Sequence, residues 1–237
     1  MELAARFHSL FAGNDRAHGT FTVSADRATD GKKTGQARVL REPPTTDLWA
    51  KHLKGESGLG IIPIKDNNCC HWGAIDIDVY NLDHSALIKQ VEKNKLPGIV
   101  CRSKSGGAHL FFFFDKEVPA EDLQPKLMSI AAMLGYGGSE VFPKQQKILA
   151  DRGDTGNFLN MPYFSGSRTT RYGYNNQNES LGPQEFLDYA ESRKINPEAF
   201  LGIQTQHKKA EELLPKGPPC LQHLAAQGFG EGSRNNA

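Results

Sequence analysis

Two aspartates two positions apart are the residues of this sequence best placed to do chemistry. Asp76 and Asp78 alternate with Ile75, Ile77 and Val79 in the segment AIDIDV. Alternate residues of an extended strand share a face, so both carboxylates lie opposite the apolar side chains, about 7 Å apart. That spacing suits a divalent cation such as Mg²⁺ or Mn²⁺, which relieves the repulsion between like charges. Alternatively, the pair only marks the solvent face of an edge strand, although aspartate is uncommon in strands.

A glycine-rich turn comes next among the candidate groups. It consists of Ser103, Lys104, Ser105, Gly106 and Gly107, and His109 opens the strand after it. Glycines let backbone amides approach phosphate oxygens closely, and Lys104 adds positive charge. The spacing does not match the Walker-type phosphate loop GxxxxGK[ST]. The segment therefore predicts either a different phosphate-binding turn or an ordinary hairpin turn.

A third acidic candidate is Glu140 in the segment SEVF, which predicts a short strand. Single strand glutamates are commonly solvated, and that is the alternative here. Cys69, Cys70, His71 and Cys101 raise the question of zinc. Adjacent cysteines do not easily ligate one tetrahedral ion, so we expect buried thiols and no zinc.

The elements that must position these residues are predicted by hydrophobic periodicity. The pattern predicts strands at 58–64, 71–80, 98–102, 109–114 and 139–142, with helices from Asp83 or Ser85 to Lys93 and over 119–134. Strand, helix and next strand form a β-α-β unit. Further on, a glycine- and asparagine-rich loop over 150–160 leads into MPYF, RYGY predicts a strand, and helices begin near Pro183 and Pro197. Residues 1–60 read as an irregular portion, with helices over 2–11 and 46–53 around loop sequence at 25–41.

Composition limits the class of protein. The chain has 237 residues and a formal net charge of +1, so a nucleic-acid partner would need a local basic groove. No segment reaches the roughly 20 consecutive apolar residues of a membrane span. We expect a cytoplasmic protein without a membrane partner.

The order of an aspartate pair, a glycine-rich turn with histidine, and a strand carboxylate resembles the catalytic domain of the archaeo-eukaryotic primase superfamily. The resemblance is to the primase-polymerase type found in phages, plasmids and CRISPR-linked operons. Asp76-Ile77-Asp78 matches the DhD motif, and Ser105 to His109 matches the second motif, with Ala108 as a departure. Glu140 matches the third, single acidic position, for which Asp151 and Asp154 are the alternatives. The similar region covers roughly residues 7 to 175.

The resemblance implies an α+β fold, in which an RRM-like antiparallel sheet carries the carboxylates beside a smaller α/β module. It implies a catalytic domain over 1–203, a linker over 204–219, and the start of a truncated C-terminal helical primase domain over 220–237. The host would be a bacterial or phage-infected cell.

The implied activity is template-dependent priming or DNA polymerisation with two Mg²⁺ or Mn²⁺ ions. Asp76, Asp78 and Glu140 would hold the metal, with His109 as the fourth catalytic residue. The nucleotide-binding set would be Ser103, Lys104, Ser105, Gly106, Gly107, His109, Lys144 and Arg171. Expected partners are a single-stranded DNA template, a primer strand, NTP or dNTP, and a helicase or C-terminal primase domain. Tyr80 is a candidate for stacking on a base, and Trp72 fits core packing better.

Two other classes of function remain open from the residues. A metal-dependent nuclease of a mobile element would also use the aspartate pair, but it has no need of the glycine-rich turn. A catalytically silent single-strand-binding replication module would place aromatic residues on its sheet and no carboxylates there.

Overall fold

The structure of the chain is a computed structural model, which describes residues 2–27 and 33–205 and the side chains of 2–21 and 37–205. The described part contains two four-stranded sheets, ordered β2-β1-β3-β8 and β5-β6-β4-β7. The strands are β1 His18–Arg27, β2 Lys33–Leu40, β3 Gly58–Ile61, β4 Cys69–Ile77, β5 Ile99–Arg102, β6 Ala108–Pro119, β7 Glu140–Phe142 and β8 Leu159–Asn160. The helices are α1 Glu2–Leu10, α2 Thr46–Lys54, α3 His84–Lys93, α4 Ala120–Met133, α5 Pro183–Ser192 and α6 Pro197–Leu201. This mixture of antiparallel sheets and helices confirms the predicted α+β class.

The second sheet is built from the run β4-α3-β5-β6-α4-β7. All its neighbouring strands are antiparallel, and β6 lies between β4 and β5. This is the split β-α-β arrangement of RRM-like and ferredoxin-like folds, as predicted. The predicted β-α-β unit is present, although its two strands are not neighbours. Because β4 pairs with β6 on one side and β7 on the other, Asp76 does not lie on an edge strand.

Each face of this sheet packs on its own hydrophobic core. Ile75 and Ile77 are fully buried in one core, which α3 and α4 cover. The opposite face of β4 contributes Trp72 and Ala74 to the other core, which also contains residues of α1, α2 and α5. Trp72 is thus a core residue, as predicted. The face that carries Asp76 is therefore apolar at one end, and the carboxylates lie where that core ends.

The N-terminal portion differs from the prediction. The composition of residues 25–41 predicts a loop, whereas β1 and β2 form an antiparallel hairpin that pairs Phe21 with Ala37. The alternation in the segment GTFTV is a strand signal, but glycine, lysine and arginine are frequent in the sequence after it. The hairpin continues into β3 through the pairing of Phe21 with Gly58, so residues 1–60 contribute three strands of a sheet.

The predicted loop over 150–160 ends in β8, and MPYF after it is not a strand, because Tyr163 has φ 65°, which is incompatible with extended backbone. One further strand prediction is wrong. RYGY forms only isolated bridges, from Gly173 to Cys101 and from Tyr174 to Ser180. The remaining strands and all predicted helices are present with small shifts at their ends.

Part of the predicted domain division lies outside the described residues. The linker over 204–219 is described only at 204 and 205, and the segment 220–237 is not described. Within the described part of the chain, no helix is both long enough and apolar enough to span a membrane.

Candidate active site

Three neighbouring strands place the acidic and imidazole groups side by side. Asp76 on β4 pairs with His109 on β6 and with Glu140 on β7. Directly paired residues of an antiparallel sheet project to the same face, so the three side chains form a row. The His109 Nε2 lies 3.4 Å from Asp76 Oδ1. Asp78 comes directly after the end of β4 and is exposed.

The glycine-rich turn connects β5 to β6 and reaches back to the second aspartate. The Ser103 amide donates to the Gly107 carbonyl (2.9 Å), and Gly106, with φ 93°, accommodates the tight reversal. The Ser105 hydroxyl donates to Asp78 Oδ1 (3.3 Å) and lies 3.1 Å from the Ser103 hydroxyl. The turn therefore lies directly beside the acidic pair.

These groups line one cavity of about 430 Å³. Its predicted lining residues are Asp76, Asp78, Ser103, Lys104, Ser105, His109 and Arg171, and its other lining residues are Phe21, Gly58, Asn160 and Phe164. The volume lies within the range of about 300 to 1,000 Å³ that is typical of small-molecule sites. The fold thus brings acidic, imidazole and basic groups from distant parts of the chain into one space.

Two aromatic rings hold the cations of this cavity. The Lys104 Nζ lies 4.8 Å from the centre of the Phe21 ring, and the Arg171 guanidinium lies 5.5 Å from that of Phe164. Attraction between a cation and a ring face restrains long side chains that would otherwise be mobile. Burial lowers the pKa of Arg171 from its usual range. Both sheets contribute to this wall, because Phe21 belongs to β1 and Lys104 to the turn of the other sheet.

The electrostatics of the row are set by burial and by like charges. Burial raises the pKa of Asp76 to about 6, with contributions from the carboxylates of Asp78 and Glu140. Burial, with a contribution from Arg171, lowers the pKa of His109 to about 4. At neutral pH the imidazole is therefore neutral, and its contact with Asp76 is not an ion pair. Near Asp76 the site has an excess of negative charge, whereas Lys104 and Arg171 supply positive charge elsewhere in the cavity.

Some predicted site residues lie outside the cavity lining. Glu140 is 61% exposed and forms an ion pair with Lys144 at 2.6 Å. It is the neighbour of Asp76, but neither it nor Lys144 lines the cavity. The alternatives Asp151 and Asp154 lie outside the strands of the row and do not line the cavity: Asp151 is in a short 3-10 helix, and Asp154 accepts from the Leu149 amide within the same loop.

Sequence reasoning missed Phe21, Gly58, Asn160 and Phe164. Phe21 and Gly58 pair directly between β1 and β3, while Asn160 ends β8. The alternating pattern around Phe21 could have indicated the strand. The sequence around Asn160 and Phe164 has the composition of a loop and carries no signal for a shared cavity.

The donor set near Asp76 has the chemistry of a hard-cation site. Asp76 and Asp78 offer carboxylate oxygens, the ligands that Mg²⁺ and Mn²⁺ prefer. Burial raises the pKa of Asp76, the carboxylates of Asp78 and Glu140 raise it further, and the nearby Lys144 offsets only part of this rise. Among the described residues, no three His, Cys, Asp or Glu side chains are already grouped as a metal site. Asp76 and Asp78 therefore fit a cation that would complete its coordination with ligand and water oxygens.

The three cysteines considered for zinc lie in different parts of the structure. Cys70 and Cys101 are buried in the two separate cores, and Cys69 is partly exposed. Burial raises the pKa of all three thiols, which disfavours the thiolate form that zinc binds.

Comparison with known proteins identifies the family. The family model described as "TOTE conflict system, Archaeo-Eukaryotic Primase domain" matches residues 24–179, well over half of the chain. Among solved structures, the AEP domain of the cyanophage S-2L primase-polymerase is similar, at 12% identity and a TM-score of 0.43 over 80% of this chain and 97% of that one. The primase RepB′ is similar at 13% identity and a TM-score of 0.38, over 90% of this chain and 67% of that one. The comparison with curated proteins gives no match. The family match supports a nucleotidyltransferase-type function of the primase kind, and this chain belongs to the archaeo-eukaryotic primase domain family of TOTE conflict systems.

Proposed function

We propose that this domain transfers nucleotides to a DNA strand on a single-stranded DNA template, using Mg²⁺ or Mn²⁺. The observation that carries the proposal is the shared cavity, in which the aspartate pair lies together with Ser103, Lys104 and Ser105 of the turn and with Arg171, although Gly106 and Gly107 do not line it. A nucleoside triphosphate with its metal ions has the complementary character. Its phosphates need cations and amides, and its metals need carboxylates.

Each group has a role in this proposal. Lys104, Arg171 and the backbone of the turn bind the triphosphate, and the neutral His109 donates a hydrogen bond to it without adding charge. Phe21 and Phe164 keep the two cations in place. A primer strand would bring its 3′-hydroxyl to the end of the cavity that holds Asp76 and Asp78.

The metal would be held by Asp76 and Asp78, with Glu140 as the third carboxylate in the row. When bound, a pair of such ions activates the attacking hydroxyl and neutralises charge on the triphosphate and on the departing pyrophosphate. The protein itself contributes the relative placement of the phosphates and the carboxylates. The turn orients the phosphates, and the row on β4, β6 and β7 fixes the carboxylates relative to them.

The two other classes of function are less well matched to the cavity. A nuclease would use the aspartates but leaves the basic turn beside them without a role. A silent single-strand-binding module does not account for a partly buried Asp76 beside the carboxylates of Asp78 and Glu140, since repulsion among these groups is costly to a fold unless a cation binds.

The test is incorporation of labelled nucleotides on a primed single-stranded template, with Mg²⁺ or Mn²⁺. We expect Asp76→Asn and Asp78→Asn to abolish incorporation. Asp115→Asn is the matched control, because Asp115 is an exposed aspartate on β6 that does not line the cavity. Metal-dependent shortening of the primer would support the nuclease instead. Template binding without incorporation by the unaltered chain would support the silent module.

A further inference from the structure

A histidine outside the cavity is bonded to the turn that lines it. His84 is the first residue of α3, and its Nε2 lies 3.0 Å from the Gly107 carbonyl oxygen. A carbonyl oxygen only accepts, so Nε2 carries the proton and donates. The other contact of the ring is with Tyr174, at 5.6 Å between ring centres. His84 does not line the cavity, and the family motifs do not include it.

The Gly107 carbonyl accepts two hydrogen bonds that hold the turn. It accepts from the Ser103 amide, which closes the turn, as well as from His84. Gly107 also lies against the end of β4: a Cβ at this position would be 2.2 Å from the Ile77 carbonyl oxygen. A group that fixes the position of this carbonyl therefore also fixes how closely the turn lies against the end of β4.

The segment from Asp78 to His84 is joined to the turn at both ends. Asp78 accepts from the Ser105 hydroxyl at 3.3 Å, and His84 donates to Gly107 at 3.0 Å. The first bond joins two exposed side chains, one of which is a proposed metal ligand. The second joins a partly buried ring to a buried backbone carbonyl. Because neither partner is a carboxylate, this bond does not depend on whether the carboxylates hold a metal ion.

We propose that His84 is a positioning residue that holds the Ser103–Gly107 turn in the conformation that receives the triphosphate of the incoming nucleotide. This inference rests on the proposed function. Without the His84 bond, the turn has more freedom, and nucleotide binding must supply the ordering. The effect therefore falls on nucleotide binding, since His84 touches neither the carboxylates nor the reacting atoms.

Three substitutions separate the hydrogen bond from simple packing. His84→Gln keeps a donor at the position of Nε2, His84→Asn is too short to place one there, and His84→Phe keeps the ring beside Tyr174 without a donor. Loss of one hydrogen bond is worth about 0.5 to 1.5 kcal/mol. We therefore expect the KM for nucleotide to rise by about 2-fold to 13-fold in His84→Phe and His84→Asn, with kcat and template affinity little changed. His84→Gln should remain near the unaltered chain.

A second measurement needs no nucleotide transfer. Trypsin cuts after Lys104, which is exposed in the turn, so the rate of this cleavage reports how tightly the turn is held. It should be faster in His84→Phe than in His84→Gln at equal melting temperatures. Equal cleavage rates would overturn the positioning role even if the chain proves inactive. In an active chain, equal KM values for the Phe and Gln variants, or a loss confined to kcat, would also overturn it.

Discussion

The charge state of Asp76 links burial to chemistry at this site. Its carboxyl group is partly buried beside two other carboxylates, and its pKa rises to about 6. The neighbouring imidazole of His109 does not compensate, because its own pKa falls to about 4. Near neutral pH the protein therefore holds an ionised Asp76 at a cost in folding free energy. A bound cation would remove that cost.

The first prediction is that Asp76→Asn stabilises the metal-free protein at pH 8. The pKa of Asp76 is raised from 3.8 to about 6, so the stability associated with its protonated form is complete below about 3.8 and is lost as the pH rises through about 6. Asparagine keeps the uncharged state at every pH. We expect a gain of about 1 to 3 kcal/mol in the free energy of unfolding at pH 8, and none near pH 3.5. Denaturant unfolding in EDTA measures both values.

Asp115→Asn serves as the control, with no gain expected at either pH. A less stable Asp76→Asn variant at pH 8 would contradict the charge account. Addition of Mn²⁺ should then raise the melting temperature of the unaltered chain more than that of the variant, because only the former keeps both carboxylates.

The second prediction concerns the third carboxylate. Glu140 pairs with Asp76 across the strands, whereas Asp151 and Asp154 lie in a loop outside the sheet. We expect Glu140→Gln to reduce nucleotide incorporation by more than about tenfold, a loss typical of groups that support a metal site. Asp151→Asn and Asp154→Asn should retain activity. Primer extension under one set of metal conditions compares the three, and loss in Asp154→Asn alone would move the third position there.

At the scale of elements, the sequence predicts the second sheet well and the first sheet poorly. The run from β4 to β7 has strong signals: alternation in β4, an apolar stripe in α3 and α4, and a strand apolar on both faces in β6. The β1–β2 hairpin has none of comparable strength. Its pairing with Gly58 of β3 depends on contacts between distant segments, which local periodicity does not encode.

The third prediction tests how closely the turn must lie on β4. Gly107→Ala would place a Cβ 2.2 Å from the Ile77 carbonyl oxygen, a backbone atom that cannot move aside cheaply, so the turn must shift. We expect a loss of nucleotide affinity of about tenfold or more, equal to at least about 1.4 kcal/mol. Gly182→Ala is the control, because its nearest neighbour at 3.3 Å is the end of the flexible Glu185 side chain. Nucleotide titration with a parallel thermal melt separates lost binding from lost folding, and unchanged affinity in Gly107→Ala would show that the turn tolerates displacement.

At the scale of the whole molecule, the cavity exists because two sheets meet. The second sheet supplies the carboxylates, the histidine and the turn, and these are the residues that motif spacing could predict. The first sheet and the segment after it supply Phe21, Asn160 and Phe164. These are residue types found in any core or loop, and they are far from the motifs in the chain. Only the folded arrangement gives them a place beside Lys104 and Arg171.

The most direct measurement of the central claim is single-nucleotide addition to a labelled primer on a template of known sequence. Each of the four nucleotides is supplied separately with Mn²⁺, to the unaltered chain, to Asp76→Asn and to Asp115→Asn. We predict that the primer grows by one residue with the nucleotide complementary to the next template base, in the unaltered chain and in Asp115→Asn but not in Asp76→Asn. Primer that remains unchanged or becomes shorter with all four nucleotides, or grows equally in Asp76→Asn, would contradict a templated nucleotidyl transfer at this carboxylate pair.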